Sequence, residues 1–267
     1  MATELEKLFA TAKSQNRAVL IAYIPAGFPT QAGCKKVIKA LVGAGVDAIE
    51  IGFPYSDPVM DGPTIQSAAE ISLKNGTGAA EVFDALKTAH DAGVASVVMT
   101  YWNPIERYGA SNFAKSISAN GGSGVITPDL TIEESEDWLN ATFDAAINSI
   151  YVVAPSTTDA RLAKVTELCG GFVYAASLMG TTGARNSISA GAQDLVARIR
   201  KVTTLPIAVG LGVSTREQAQ QVAGYADGVI VGSAFIKLLL QAKDEASGIS
   251  AVTELAKELV EGVRQGR

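Results

Sequence analysis

AGVDAIEIG, residues 44–52, decides the fold, because within nine residues a glycine-terminated helix end passes into a short apolar strand. The same transition recurs in AGVASVVMT (92–100), GGSGVITPD (121–129), CGGFVYAAS (169–177) and ADGVIVGS (226–233). Glycine suits the position just after a helix because it adopts the left-handed conformation at little cost. Each unit is therefore a helix-to-strand connection, and many such units in series predict a parallel sheet.

Working outward from these units, the pattern predicts eight strands separated by helices, and an amphipathic helix within residues 1–17. The expected strands are Val19–Tyr23, Ala48–Gly52, Ser96–Thr100, Gly124–Ile126, Ser149–Val153, Phe172–Ala176, Pro206–Val209 and Gly228–Val231. The expected helices are Gln31–Val42, Ala79–Ala92, Ser111–Ala119, Ile132–Ala145, Asp159–Leu168, Ala192–Val202, Thr215–Ala223 and Val252–Val263. Asp159 and Thr215 are expected to cap the N-termini of their helices.

Chain length and the strand count together favour one closed barrel. The chain has 267 residues, close to the ~250 of a typical (β/α)8 barrel, and no Pro- or Ser-rich linker interrupts it. The expected fold is therefore α/β, a single (β/α)8 TIM barrel over residues 1–267 with an extra N-terminal helix. A doubly wound open sheet stays possible, because a strand count alone does not show closure.

Composition excludes several classes of function. The net charge is −5 and no Lys/Arg run stands out, so a nucleic-acid partner is not expected. No apolar stretch approaches the ~18 residues of a membrane helix, and the N-terminus does not resemble a signal peptide, so we expect a cytoplasmic protein. Cys34 and Cys169 are expected to be reduced packing residues, and the single histidine, His90, lies in a helix-like segment and predicts no metal site.

Glu50 is the strongest candidate for a catalytic group. It interrupts the otherwise apolar strand AIEIG, where it shares a face with Ala48 and Gly52 and points either into the barrel or toward the helices. Burial without a partner disfavours the charged carboxylate and raises its pKa, which suits a group that gives and takes a proton near neutral pH. The other interpretation is a buried ion pair, for which the sequence offers no evident partner.

The loop GFPYSDPVMDGPTIQ, residues 52–66, follows this strand directly. Its three prolines reduce the entropy lost when the loop takes a fixed shape, which a plain connection would not need. Asp61 is a second proton-transfer or hydrogen-bonding candidate, although an Asp-Gly pair can also simply form a turn. No strand contains a lysine for Schiff-base chemistry and no GxSxG elbow is present, so proton transfer by carboxylates is the expected chemistry.

The loops after the last three strands have the composition of a phosphate site. Gly183, Gly210, Gly212 and Gly232 allow backbone N–H groups to approach an anion, and Ser233 adds a hydroxyl where a short helix could begin. Loops after strands seven and eight are the recurrent phosphate site of TIM barrels. Each glycine alone is more often a turn residue, so the prediction depends on their combination.

At this point the motifs resemble those of the tryptophan synthase α-subunit family, over essentially the whole chain. The resemblance is carried by EIGFPYSDPVMDGPTIQ (50–66), MTYWNPIERYG (99–109), ITPDLTIEES (126–135), MGTTGAR (179–185), VGLGVST (209–215) and IVGSAF (230–235). It implies a retro-aldol cleavage of indole-3-glycerol phosphate to indole and glyceraldehyde 3-phosphate, without a cofactor.

The resemblance also implies a role for each matching residue. Glu50 would act on the indole C3 and on the glycerol hydroxyl, while Asp61 would accept a hydrogen bond from the indole N–H. Thr182 would be a lid residue that contacts Asp61. The implied substrate-binding residues are Tyr23, Tyr174, Thr182, Gly183, Gly212, Val213, Gly232 and Ser233.

The family partner is a β subunit that carries pyridoxal phosphate, in an α2β2 complex, and Asp57 and Pro58 are expected near that interface. Pro25, Phe28 and Met60 depart from the commonest family pattern, so the pocket around them is less well predicted. Three alternatives remain: a related barrel such as an indole-glycerol-phosphate synthase, which needs a strand-end lysine; a barrel that only activates a partner; and a lyase that acts without a β subunit.

Overall fold

The sheet is built from short parallel strands whose order shows how the barrel closes. The structure, a computed structural model, describes residues 2–176, 188–210 and 212–267. The strands are β1 (Val19–Pro25), β2 (Ala48–Gly52), β3 (Ala95–Met99), β4 (Gly124–Ile126), β5 (Asn148–Ile150), β6 (Val152–Val153), β7 (Val173–Ala176), β8 (Ile207–Gly210) and β9 (Gly228–Val231).

Hydrogen bonding orders the strands as β5-β4-β3-β2-β1-β9-β8-β7-β6, and every pair is parallel. The two ends of this order, β5 and β6, are halves of one segment separated only by Tyr151. The Tyr151 carbonyl accepts a hydrogen bond from the Tyr174 N–H at 3.1 Å, which continues the ladder across the break. The ring therefore has eight strand positions, which confirms the (β/α)8 barrel and excludes the open sheet.

Helices surround this ring. They are α1 (Glu4–Ser14), α2 (Gln31–Gly43), α3 (Pro63–Lys74), α4 (Ala79–Asp91), α5 (Trp102–Tyr108), α6 (Ala110–Ala119), α7 (Glu136–Asp144), α8 (Asp159–Leu168), α9 (Ile188–Ile199), α10 (Arg216–Ala223), α11 (Ser233–Gln241) and α12 (Glu245–Arg264). The glycines expected after helices have positive φ angles at Gly45, Gly93, Gly121 and Gly171. The turn chemistry is thus confirmed in four of the five units; before β9, Gly224 follows α10 with a φ of −65° instead.

Several boundaries differ from the prediction. Asp159 is the first residue of α8, and Thr158 caps it instead, with its side chain accepting from the Arg161 N–H at 3.3 Å. The expected capping of α10 by Thr215 is confirmed. The segment expected as one helix from Ile132 contains a short 3₁₀ turn, Ile132–Glu134, before α7 begins.

Two helices, α3 and α5, were not predicted. Each has a proline in its first turn, Pro63 and Pro104, where the missing N–H is tolerated because no intrahelical partner exists there. The sequence analysis interpreted Pro63 as a loop residue, but in the structure Pro63 is the first residue of α3.

The core divides into an outer shell under the helices and an inner shell inside the ring. The inner shell contains Val19, Ile21, Ala48, Val97, Ile126, Ile150, Phe172, Ala208 and Ile230, together with Leu5, Phe9 and Ala12 of α1. The rings of Phe9 and Phe172 lie 5.6 Å apart, and the Thr3 hydroxyl donates to Asn148 Oδ1 at 2.8 Å. The predicted N-terminal helix is present, and it closes one end of the barrel.

Two aspartates hold that closed end together. Asp47 Oδ2 accepts from the Leu20 N–H at 2.8 Å, and Asp227 Oδ2 accepts from the Ile207 N–H at 2.9 Å. Each carboxylate thus takes up a strand-end donor that would otherwise lack a partner. Side-chain carboxylates therefore hold the closed end together, and the open end is left for chemistry.

Cys34 lies buried on α2 and Cys169 follows α8, and both are free thiols as expected. In the part of the chain that the structure describes, no helix is both long enough and apolar enough to span a membrane.

Candidate active site

Glu50 lies on the inner face of β2, near the open end of the barrel. It is paired in register with Tyr23 on β1 and Val97 on β3, and it is 1% exposed. Its Oε2 atom has no hydrogen-bond partner among the described residues. Burial, and then the charge of Asp61, raise the pKa of Glu50 to about 8. At neutral pH the side chain is thus mostly a carboxylic acid with a proton to give.

Asp61 lies in the loop between β2 and α3, half-buried beside this acid. Burial raises the pKa of Asp61, and a hydrogen bond with the Tyr101 hydroxyl opposes that rise. Its charge reaches Glu50, since it contributes to the raised pKa there. The structure therefore brings together the two carboxyl groups that the sequence singled out, in environments that keep Glu50 protonated while a hydrogen bond favours the ionised form of Asp61.

Tyr101 is a residue of this site that sequence reasoning missed. It is 4% exposed, its hydroxyl accepts from the Met60 N–H at 3.0 Å, and its ring centroid lies 5.3 Å from that of Tyr55. Burial raises the pKa of Tyr101 to about 12, so the hydroxyl stays protonated and can donate to Asp61. The signal was available, because Tyr101 follows β3 at the end of the barrel where catalytic groups lie.

Tyr23 is seated on two glycines at the mouth of the barrel. A Cβ atom built on Gly52 would lie 2.2 Å from the Tyr23 hydroxyl, and one built on Gly232 would lie 3.0 Å from the ring. Burial, with Asp61 and then Glu50, raises the pKa of Tyr23 well above its ordinary value. Tyr23 thus extends from the end of β9 toward β2, the strand that carries Glu50, and its protonated hydroxyl lies at Gly52.

Tyr174 has the same arrangement on the opposite side. A Cβ on Gly210 would lie 2.5 Å from its hydroxyl, and burial followed by the charges of Glu50 and Asp61 raises its pKa. The sequence interpretation assigned Gly210 and Gly232 only to a phosphate site. In the structure, both glycines also make room for these tyrosines.

The remaining phosphate candidates lie where two neighbouring strands end. Gly212, with φ of +77°, and buried Val213 follow β8, while Gly232 and Ser233 follow the adjacent β9. The nine-residue helix α11 begins at Ser233, and its N-cap residue, Gly232, has no side chain that could cap it. Its first N–H groups therefore have no intrahelical acceptor, and with the helix dipole they favour an anion.

Thr182 and Gly183, the two remaining substrate-binding candidates, lie outside the described residues. Asp57 and Pro58 lie on the loop after β2, where Asp57 is exposed and Pro58 is half-buried. The next two residues on this loop, Val59 and Met60, are 78% and 51% exposed. The expected interface loop thus presents apolar surface beside a charged residue.

Further sequence expectations concern the departures from the family pattern, the single histidine and metal binding. Phe28, one of the departures from the family pattern, is buried at 1% exposure, and Pro25 ends β1. His90 is exposed on α4. Within residues 2–176, 188–210 and 212–267, no group of three or more His, Cys, Asp and Glu side chains could hold a metal ion.

Comparison with known proteins agrees with this arrangement. A family model described as "Tryptophan synthase alpha chain" matches residues 9–264. The tryptophan synthase alpha chain of Streptomyces avermitilis is 53% identical over 98% of this chain and 95% of that protein, and that of Thermobifida fusca is 52% identical over 98% of each. A solved structure of Mycobacterium tuberculosis tryptophan synthase superposes with a TM-score of 0.91 at 45% identity, covering 99% of both chains. This chain therefore belongs to the tryptophan synthase alpha chain family.

Proposed function

We propose that this protein is the lyase that cleaves indole-3-glycerol phosphate to indole and glyceraldehyde 3-phosphate, the α reaction of L-tryptophan biosynthesis. The observation that supports this most directly is Glu50, a buried acid that keeps its proton near neutral pH and has no protein partner for Oε2 among the described residues. A free proton donor at the mouth of a barrel has to meet its acceptor on a bound substrate. Asp61 beside it supplies the negative charge that the reaction needs at the indole nitrogen.

The proposed steps balance without a further reactant. Protonated Glu50 gives its proton to indole C3, and Asp61 stabilises the positive charge that develops at the ring nitrogen through the indole N–H. The bond between C3 and the glycerol chain then breaks, and its electron pair restores the aromatic ring. The hydroxyl on the cleaved carbon loses its proton to the Glu50 carboxylate, so that an aldehyde forms and the acid is regenerated.

The substrate phosphate would bind at the N-terminus of α11, with Gly212, Val213, Gly232 and Ser233 around it. Tyr23 and Tyr174 would line the indole pocket, since each lies between Glu50 and the phosphate end. Thr182 and Gly183 are assigned to lid and phosphate contacts by the family resemblance alone. The protonated indole ring of the substrate itself accepts the electron pair of the cleaved bond, so the proposed reaction uses no cofactor.

The proposed partner is the β subunit, a pyridoxal-phosphate enzyme, in an α2β2 complex in the cytoplasm. The exposed loop with Asp57, Pro58, Val59 and Met60 supports an interface there, because exposed apolar residues next to a charge are typical of partner surfaces. We propose that residues 1–267 act as one catalytic domain in that complex.

Indole release tests the function. Purified protein is assayed with indole-3-glycerol phosphate alone and with added β subunit, as wild type, Glu50→Gln and Asp61→Asn. General acid–base catalysis typically contributes ~10²–10⁴-fold, so Glu50→Gln is expected to lose at least about 10²-fold in kcat. The matched control is Glu254→Gln, which removes an exposed carboxylate on α12.

Equal turnover by wild type and Glu50→Gln would contradict the catalytic role. If neither wild type nor Glu50→Gln releases indole but both strongly activate the β subunit, the result would favour a barrel that only activates its partner. Full wild-type activity without the β subunit would favour a stand-alone lyase. A synthase of the indole-glycerol-phosphate type is less well supported, because none of the nine strands contains a lysine.

A further inference from the structure

The closed end of the barrel, opposite Glu50, contains a small open cavity of ≈ 50 Å³. It lies between α1 and the segments that enter β8 and β9. Phe9, Ala12 and Pro206 form its apolar wall, and Phe9 and Ala12 are almost fully buried. This volume is well below the ~300–1,000 Å³ that is typical of sites for drug-sized ligands, so the cavity suits only an ion or a group of a few heavy atoms.

The charged groups around this cavity are unbalanced. Lys13, Arg17 and Arg200 line it with a single acid, Asp227, which leaves a surplus of two positive charges. Two further charged residues pair with this lining: Asp47 with Arg17, and Arg267 with Asp227. Their opposite charges cancel, so the surplus of two positive charges is unchanged.

This surplus runs against the overall charge of the chain, which is −5. An acidic protein that gathers cations around one cavity attracts anions there more strongly than its net charge suggests.

The two acids have little capacity left to neutralise the cavity. Asp227 already accepts from Arg200, from Arg267 and from the Ile207 N–H, and Asp47 accepts from Arg17 and from the Leu20 N–H. Both carboxylates are therefore used to hold strand ends together and do not reach across the cavity.

The cations, in contrast, have donors to spare. Arg200 uses Nη2 for Asp227, so Nε and Nη1 have no acceptor among the described residues. Arg17 donates from Nε and Nη1, so its Nη2 likewise has no acceptor among the described residues. Lys13 has no carboxylate partner in the described ranges. The side chain of Arg17 is 22% exposed and that of Arg200 is 37% exposed, so both charges are partly shielded from water. Electrostatic interactions are stronger in such surroundings than in bulk water.

We propose that this cavity binds a small phosphate or phosphate-ester dianion, which bridges α1 to the entrance of β8. A dianion matches the surplus of two charges, and planar guanidinium groups bind phosphate oxygens with two N–H groups. Lys13 by itself is explained by its place in the last turn of α1, where a cation complements the helix dipole. That explanation does not cover Arg17 and Arg200, which reach the same cavity from other segments. The proposal is independent of the lyase activity.

Hydrogen exchange read by mass spectrometry can locate the bound anion. Inorganic phosphate is titrated against chloride at constant ionic strength, and peptides from α1 and from residues 200–206 report the closed end. Peptides from residues 212–216 and 232–236 report the substrate phosphate site separately. We expect phosphate to slow exchange in α1 and in residues 200–206 of the wild type.

Lys13→Gln is the decisive variant, because Lys13 has no carboxylate partner in the described residues and its replacement should leave the fold intact. Loss of one charge-assisted contact should raise the phosphate concentration for half-maximal protection of α1 about tenfold. Lys7→Gln is the matched control on the same helix, since Lys7 pairs with Glu4 away from the cavity. Arg200→Gln should weaken protection in the same direction.

Equal half-maximal concentrations in wild type and Lys13→Gln would overturn the proposal. Protection confined to residues 212–216 and 232–236 would also overturn it, because phosphate would then bind only at the substrate site. Neither result would bear on catalysis by Glu50, which is measured by indole release.

Discussion

Glu50 lowers the stability of the protein that uses it. Its pKa is raised from 4.5 to about 8 in the folded state, so between these values the unfolded chain releases the proton while the folded chain keeps it. The contribution of Glu50 to stability therefore falls as pH rises from about 4.5 to 8.

Glu50→Gln should remove this penalty. We expect the variant to be more stable than wild type by up to ~4 kcal/mol at pH 8, with the difference vanishing below about pH 4. Urea unfolding at pH 4, 6 and 8 measures it, and Glu254→Gln serves as the exposed control. A variant less stable than wild type at pH 8 would show that Glu50 is held by a charge partner.

The same pKa predicts the pH dependence of catalysis. Glu50 must be protonated to give its proton to substrate, so kcat/KM should fall as pH rises through about 8 in the free enzyme. Asp61 must be ionised, and burial raises its pKa above 3.8, so activity should also fall on the acid side. The measurement is a pH profile of indole release. Activity that stays constant from pH 6 to 10 would contradict a protonated Glu50 as the donor.

Tyr101 should act on the reaction through Asp61. Tyr101→Phe removes the hydrogen bond that lowers the pKa of Asp61 and leaves the Met60 N–H without its acceptor. We expect the acid limb of the pH profile to move to higher pH and kcat to fall roughly tenfold, the loss associated with one hydrogen bond to a charged group. Tyr108→Phe is the control, because Tyr108 is 41% exposed and packs edge-to-face against Phe113 instead. An unchanged acid limb would assign Tyr101 a packing role only.

Among the elements, β8 matters because it ends in a glycine that faces a tyrosine of β7. Gly210→Ala would place a Cβ 2.5 Å from the Tyr174 hydroxyl, so the ring must shift from its position in the site. We expect a loss of kcat with little change in folding, and partial recovery in the double variant with Tyr174→Phe, which removes the clashing oxygen.

The control for that experiment is Gly191→Ala on α9, where an added Cβ meets nothing within 4 Å. Gly191→Ala should keep full activity and gain up to ~1 kcal/mol in stability from better helix propensity. If the Gly210 variant is as active as the Gly191 variant, the position of Tyr174 does not limit the reaction.

On the scale of the whole molecule, α1 is part of the barrel core. Phe9 is 4% exposed and packs on Phe172 inside the ring, so Phe9→Ala should destabilise the protein by ~3–5 kcal/mol. Guanidinium unfolding measures this, with Leu240→Ala on the exposed side of α11 as the control. Because Phe9 lies at the end opposite the catalytic groups, KM of the folded fraction should not change. A loss under 1 kcal/mol would show that α1 only covers the ring.

The sequence by itself determined the strands, most of the helices and the candidate chemistry of Glu50. Strand and turn positions follow from local patterns, since a glycine after a helix and a run of β-branched residues act within a few positions. Glu50 was identifiable because a charged residue in an apolar strand conflicts with burial wherever the strand lies. Thr158, rather than Asp159, caps α8 because the choice between adjacent capping residues depends on backbone angles that residue type does not specify.

The tertiary structure alone decided what lies next to what. Closure of the ring rests on Tyr151 meeting Tyr174, and the support of Asp61 rests on Tyr101, which is forty residues away along the chain. Gly210 was predicted only as part of a phosphate site, and the structure adds that Tyr174 occupies the space of its missing side chain. The cations of the closed end come from residues 13–17 and from Arg200, and only folding brings these two distant parts of the chain to one cavity. Contacts between distant segments depend on the direction and depth of each side chain, and these are set by packing, which no local pattern encodes.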